Sequence, residues 1–297
     1  MIDYPAARAV AMVVQTGSFE GAARALNVTP SAISQRVRQL EERLGTVLIE
    51  RASPCRATET GAKLCRHVEY VGLAERDLLA ALPEADRTDA ARVTLSIAVN
   101  SDSLATWFLP AVTSFARDSD ILLDIAIDDE DHTTDWLKAG RVVAAVTSIA
   151  RPVPGCRVMP LGRLRYHATA SPGFMARYFA HGVTPEALAH APALTFNHKD
   201  QLLQEWLRQH LGQTLPVPTH WLPSTQGFVM AARQGLGWGL NPAMLVQEHL
   251  AQGDLVELIP GAVFDRPLFW QINRRVAGHL ERLTSALRRH ARGVLME

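Results

Sequence analysis

Cysteine is scarce: Cys55, Cys65 and Cys156 are the three in 297 residues, too few and too scattered for a disulfide framework. Neither the Cys55–Cys65–His67 spacing nor any other matches a zinc pattern, so no metal is expected. Long apolar runs are missing too. No stretch of about 18 apolar residues exists, so no membrane span or membrane partner is expected. The opening Met-Ile-Asp-Tyr-Pro-Ala-Ala-Arg lacks the basic-then-apolar pattern of a secretory leader, and a cytoplasmic, reducing location is expected. No nucleophile motif is present. Gly235-Leu236-Gly237-Trp238-Gly239 lacks the GxGxxG spacing and follows a helix, so it reads as a tight turn. These absences argue against an enzyme and against a cofactor.

Net charge is also missing, with 30 basic and 30 acidic residues, but the zero hides a dipole. Residues 1–66 hold nine basic and six acidic groups, a net of +3. Residues 101–135 hold nine acids against Arg117 alone, a net of −8. A polyanion is drawn to the first segment and repelled by the second, so two different ligands are implied.

The first segment carries two short helices and a tight turn. Phe19, Ala22, Ala23 and Leu26 give the first an apolar face at spacings of three and four. Asn27-Val28 is the turn. Thr29 is a good N-cap, and Pro30 fits the first helical position, where a missing N–H costs nothing. Ile33, Val37, Leu40 and Leu44 form the core face of the second helix. Its opposite face presents Ser31, Ser34, Gln35, Arg38 and Gln39, groups that read base edges and phosphates rather than merely stay solvated. An ordinary helical hairpin is the competing reading.

Residues 5–66 resemble the winged helix-turn-helix of the LysR-type transcriptional regulators. The resemblance rests on Ala22 through Glu41, on Leu44-Gly45 with Val47 to Arg51, and on Thr58-Glu59-Thr60-Gly61. Thr29 stands where many members carry Gln, and Ile49 where an aromatic is usual. The resemblance implies DNA contacts from Ser18, Thr29, Pro30, Ser31, Ser34, Gln35 and Arg38, with Arg51 and Arg56 in a wing holding phosphates. Leu64, Val68, Val71, Leu78 and Leu82 then follow a heptad step on a long helix, broken by Glu75. That stripe is covered by its own domain or by a second chain; the family places a dimerising linker here. Residues 83–89 read as a hinge.

Beyond the hinge, strands alternate with helices, which predicts a mostly parallel sheet. Expected strands are 93–99, 122–127, 142–146, 164–170, 192–197, 220–222 and 237–241. Expected helices are 104–115, kinked at Pro110, then 134–139, 201–211, 227–234, 242–251 and 278–291. The fold class is therefore mixed: a winged helix-turn-helix (1–58), a linker helix and hinge (59–90), and an effector domain (91–297). The effector domain reads as two Rossmann-like α/β lobes of the periplasmic-binding-protein type, lobe I at 91–163 and 266–297, lobe II at 164–265.

Ligands of such sheets sit beyond strand carboxyl ends, at helix starts. Asn100, Ser101, Asp102 and Ser103 offer N–H groups and hydroxyls to a carboxylate. Asp128, Asp129, Glu130 and Asp131 would repel one another in a cleft mouth without a cation, unless they form a solvated loop. Thr147, Phe196, Asn197, Asp200 and Ser224 complete the candidate set. Val99 through Ala111, Asp128–Glu130, Gly140 through Val146, Gly182-Val183-Thr184 and Ala231 through Gly235 resemble the ArgP/LysG branch of the family, which responds to lysine and arginine. The resemblance implies a sequence-specific regulator of amino-acid export or biosynthesis genes. It works as a dimer or tetramer, with double-stranded DNA, RNA polymerase and a basic amino acid as partners. A LysR-type regulator with another effector, or a DNA-structuring protein with little effector control, is the alternative.

Overall fold

A computed structural model of the chain describes residues 2–82, 93–117, 119, 121–129 and 131–297. The hinge expected at 83–89 and the candidate Glu130 lie outside the described residues. The head packs helix α1 (Tyr4–Thr16) on α2 (Phe19–Ala25) and α3 (Pro30–Leu44), followed by a hairpin of β1 (Ile49–Glu50) and β2 (Arg56–Ala57). Side-chain caps start α2 and α3, the second at Thr29 as the sequence predicts. Ser18 accepts from the Gly21 N–H at 3.0 Å, and Thr29 from the Ala32 N–H at 3.2 Å. Asn27 takes the left-handed conformation (φ 52°) that the tight turn needs. Ile33, Val37 and Leu40 are buried against Val10, Val13 and Ala22. Leu44 is not: it is 45% exposed, because Gly45 (φ 65°) ends the helix one residue later and turns the chain away.

Helix α4 (Glu59–Ala81) leaves the head tightly coupled to it. Thr58 caps it by accepting from the Gly61 N–H, and its hydroxyl also donates to the Val47 carbonyl at 2.8 Å. A side chain at Gly61 would meet the Leu48 carbonyl at 2.0 Å, so the helix start and the wing base touch through bare backbone. The apolar stripe of α4 is divided. Leu64 and Val68 join the head's own core, while Leu73, off the expected stripe, is buried in the core of the following domain. Leu78 and Leu82 stay exposed at 61% and 46%.

That following domain is built on one seven-stranded sheet. Its path opens with β3 (Val93–Asn100), a helical segment of α5 (Ser101–Ser103), a π-helical stretch (Leu104–Phe108) and α6 (Leu109–Arg117), then β4 (Ile121–Asp128), α7 (Thr133–Ala139) and β5 (Ala144–Thr147). The kink expected at Pro110 is realised as the π-helical stretch just before it, where proline has no N–H to donate to the preceding turn. Next come β6 (Cys156–Ala170), α8 (Pro172–Tyr178), α9 (Pro185–Leu188), β7 (Ala193–Thr195), α10 (Leu202–Leu211), β8 (Thr219–Trp221) and α11 (Thr225–Arg233). The chain closes with β9 (Gly239–Pro242), α12 (Ala243–Gln252), β10 (Val256–Glu257), β11 (Val263–Asn273), α13 (Arg274–Ala277) and α14 (Glu281–Val294).

The sheet is mixed rather than mostly parallel. β4, β3 and β5 run parallel, but β11 is antiparallel to both β5 and β6, and β6 is antiparallel to β9 and β10. The long pair β6–β11 joins the two lobes. Leu164 lies opposite Arg266 in this ladder, and the register shifts between Leu268 and Phe269. A separate parallel pair, β7–β8, stands in lobe II. Four buried tryptophans anchor the core. The ring N–H of Trp206 donates to the Ala262 carbonyl and that of Trp270 meets the Thr284 hydroxyl, so bulk is buried without losing those hydrogen bonds.

Candidate functional site

The outward face of α3 carries the residues chosen for DNA. Ser31, Gln35 and Arg38 are exposed and Ser34 half-buried, while Ile33 and Val37 hold the helix from behind. Arg38 pairs with Glu42 at 2.9 Å, but the two side chains are 77% and 63% exposed, so this link is weak and easily exchanged for a phosphate or a base. Thr29, Pro30 and Ser31 stand at the helix start, with Thr29 and Ser31 hydroxyls 2.9 Å apart. In the wing, Arg51 lies over the Phe19 ring at 5.2 Å and Arg56 is exposed on β2. Helix face and wing thus present hydrogen-bonding and cationic groups on a small rigid head.

The second site lies where the lobes meet. Four carboxyls, of Asp102, Asp129, Asp131 and Asp200, converge there, and the charges of Asp200 and Asp131 act on their neighbours. The carboxyl of Asp102, at the start of α5, is shut away from water. Burial pushes it up, the hydrogen bonds from Thr225 and Tyr166 pull it down, and Asp200 pushes it up further. Its Oδ2 accepts from the Tyr166 hydroxyl at 2.7 Å, and its Oδ1 lies 2.5 Å from the Thr225 hydroxyl, which is also 2.9 Å from that of Ser101. Asp129, 7% exposed, is pushed up to about 6, chiefly by burial. Asp200 and Asp131 add to the shift, and the Asp131 N–H and His132 offset part of it. Asp200 is raised by burial and by Asp131, against the N–H groups of Leu202 and Phe196 and the charge of Arg266.

Arg266 bridges this cluster. It is 8% exposed; Nη1 reaches Glu205 of α10 at 2.6 Å, and Nη2 binds Asp131, whose other oxygen takes the Ser148 hydroxyl. A low-dielectric cleft with several carboxylates and one guanidinium has a surplus of negative charge, so it favours cations.

Other candidates have local duties. Asp128 accepts from the Trp136 ring N–H at 2.9 Å and from the Asp129 N–H. The Asn197 side-chain oxygen shapes its own turn by accepting from the Lys199 N–H, and Ser224 caps α11 by accepting from the Gly227 N–H. Phe196 is half-buried and gives its N–H to Asp200. Asn100, Ser103 and Thr147 are buried at the strand ends, and Thr147 accepts from the Ile149 N–H at 3.1 Å. Asp131 belongs to the acid run that the sequence already offered, and Thr225 directly follows Ser224. Tyr166, Glu205 and Arg266 come from the fold; nothing local in the sequence marks them.

Comparison with known proteins follows the same division. Residues 6–62 match the bacterial regulatory helix-turn-helix proteins of the lysR family, and residues 88–295 match the LysR substrate binding domain. The chain belongs to the LysR family. Within it, the chain is 43% identical over 287 residues to the transcriptional regulator ArgP of Pseudomonas aeruginosa, covering 97% of this chain and 95% of that one. It superposes on the crystal structure of ArgP from Mycobacterium tuberculosis with a TM-score of 0.78 at 41% identity, covering 100% and 99% of the two chains. Full-length LysG from Corynebacterium glutamicum, solved with its effector arginine bound, gives 0.68 at 35% identity with both chains fully covered. This LysR-family chain is thus a DNA-binding transcriptional regulator with a two-lobed ligand domain.

Proposed function

We propose that this regulator is controlled by lysine or arginine, bound between its lobes. The carrying observation is the convergence of Asp102, Asp129, Asp131 and Asp200 on one cleft, with burial and mutual repulsion raising three of their carboxyls. A basic amino acid has the complementary charges. Its side-chain cation faces Asp129 and its neighbours. Its α-ammonium faces Asp102. Its α-carboxylate takes N–H and hydroxyl groups of Asn100, Ser101, Ser103 and Thr147. The arginine bound by LysG of Corynebacterium glutamicum supports the same assignment.

In this reading Ser18, Thr29–Ser31, Ser34, Gln35 and Arg38 meet the major groove, and Arg51 and Arg56 the flanking phosphates. Two chains pair through α4, using Val71, Leu78 and Leu82, as a dimer or as half of a tetramer. Ligand closes the lobes about the β6–β11 pair, which alters how the paired heads address DNA and how RNA polymerase gains access; the leverage equals the ligand's differential affinity for the two arrangements. The protein acts in the cytoplasm, without catalysis or cofactor, on genes of basic amino-acid export or biosynthesis. Calorimetric titration of the full chain decides the effector. Lysine or arginine should bind well ahead of glutamate and leucine. Glutamate binding as tightly as lysine overturns the assignment.

A further inference from the structure

The basic-amino-acid reading raises a question about Arg266, the one buried guanidinium bonded to the acid cluster among the described residues. The residue stands on β11 opposite Leu164, where the chain passes between the lobes. One end of its guanidinium binds Asp131, beside α7 of lobe I, and the other binds Glu205 on α10 of lobe II. The two bonds therefore form a strap across the cleft. We propose that Arg266 is a built-in competitor of the effector: it occupies the carboxylates that the ligand's cationic end takes, and ligand binding displaces it.

Three points carry this. A guanidinium is a planar fork of donors that two carboxylates satisfy, and the side chain of a bound arginine is the same group. An effector cation held by Asp129 and its neighbour Asp131 cannot share Asp131 with Arg266 without the two repelling each other at close range in a poorly screened cleft. The strap also fixes what a ligand must offer. A neutral or anionic side chain cannot replace the charge that Arg266 gives up, so the competitor rejects such ligands as well as weakening the right ones.

The rival role for Arg266 is to hold the ligand's α-carboxylate, and agmatine separates the two. Agmatine keeps the guanidinium of arginine and lacks the carboxylate. Titrating wild type, Arg266→Gln and Arg266→Lys with arginine and agmatine should show Arg266→Gln tightening both ligands together, by about tenfold or more, the worth of a charge-assisted hydrogen bond no longer contested. Arg266→Lys keeps the charge but loses the fork, and should tighten both by a few-fold; it carries the test alone if the glutamine variant does not fold. Arginine weakened with agmatine unchanged overturns the proposal in favour of a carboxylate clamp. Both ligands unchanged overturns it in favour of a purely structural ion pair. Failure of wild type to bind arginine, lysine or agmatine instead removes the effector assignment itself, a different result.

Discussion

Replacing Asp129 by asparagine should make the protein more stable and a poorer receptor at once. In the folded chain this carboxyl titrates at about 6 rather than 3.8, chiefly through burial, with Asp200 and Asp131 adding to it. A raised folded value means that the folded state holds the proton more tightly than the unfolded state. The stabilising contribution is then complete below 3.8 and is lost as the pH rises through about 6. At pH 7 the ionised group carries the full penalty, a shift of about two pH units or at most about 3 kcal/mol at 1.36 kcal/mol each. Asparagine keeps an oxygen for the Asp131 N–H, 3.0 Å away, and removes the charge. For a domain of roughly 200 residues, where 1 kcal/mol moves Tm by about 2–4 °C, the Asp129→Asn variant should melt about 4–10 °C higher at pH 7, with the gain vanishing near pH 4.

Binding moves the other way. The ligand's cation needs the ionised carboxylate, so wild-type affinity for lysine should fall roughly tenfold for each pH unit below 6, a dependence the variant loses. At pH 7 the variant should bind lysine about 10- to 150-fold more weakly, the worth of one charge-assisted hydrogen bond. Scanning calorimetry and titration calorimetry at pH 5, 6 and 7 read both effects. A variant that melts below wild type, or that keeps the wild-type pH slope of binding, refutes the reasoning.

Three further outcomes are expected. Arg38→Ala should weaken operator binding by about 1–3 kcal/mol and relax base preference, whereas Arg56→Ala should weaken all sequences alike and flatten the salt dependence; unchanged affinity in both sinks the DNA-binding placement. Leu78→Asp costs a single chain little, since Leu78 is 61% exposed, so light scattering should show monomers with intact melting; a fully dimeric variant argues against pairing through α4. Glu69 on α4 accepts from the Ser96 hydroxyl at 3.0 Å, and burial raises it to about 7, with Asp124 adding and Arg66 offsetting. Its contribution is complete below 4.5 and lost as the pH rises through about 7, so wild type should lose thermal stability between pH 6 and 8 while Glu69→Gln does not; equal losses refute the burial argument.

The head was legible because its signals are local. A cap, a proline at the first helical turn and apolar residues at four and three act within one helix, and Ile33, Val37 and Leu40 are buried accordingly. Leu44 follows the same spacing but falls in the last turn, where the chain's exit decides burial rather than the period. The stripe on α4 misled for a related reason. A heptad assumes one partner along its length, whereas the head takes Leu64 and Val68 and the next domain takes Leu73. Strand β11 carries no readable strand pattern, because Arg266 and Pro267 interrupt its apolar residues. Proline is tolerated there because its partner in the ladder, Arg163, turns its backbone N–H and C=O to Met296 instead.

The ligand site divides along a different line. Its charge was legible, since charge adds up along a segment whatever the fold, and a net of −8 over residues 101–135 already asked for a cation. Its pairings were not, because they are made by topology. Tyr166 and Thr225 reach Asp102 across 64 and 123 positions, and Arg266 reaches Asp131 across 135. No periodicity spans such distances. Each partner belongs to a segment whose own pattern is explained by the sheet or helix it sits in. The class of ligand is therefore the part of this function that a sequence states first. Which acids stay unpaired is a separate matter, set by side chains that arrive from distant segments. Asp131 illustrates the difference: in the sequence it is one more acid in a run, and in the fold it pairs with Arg266, whose other end holds Glu205.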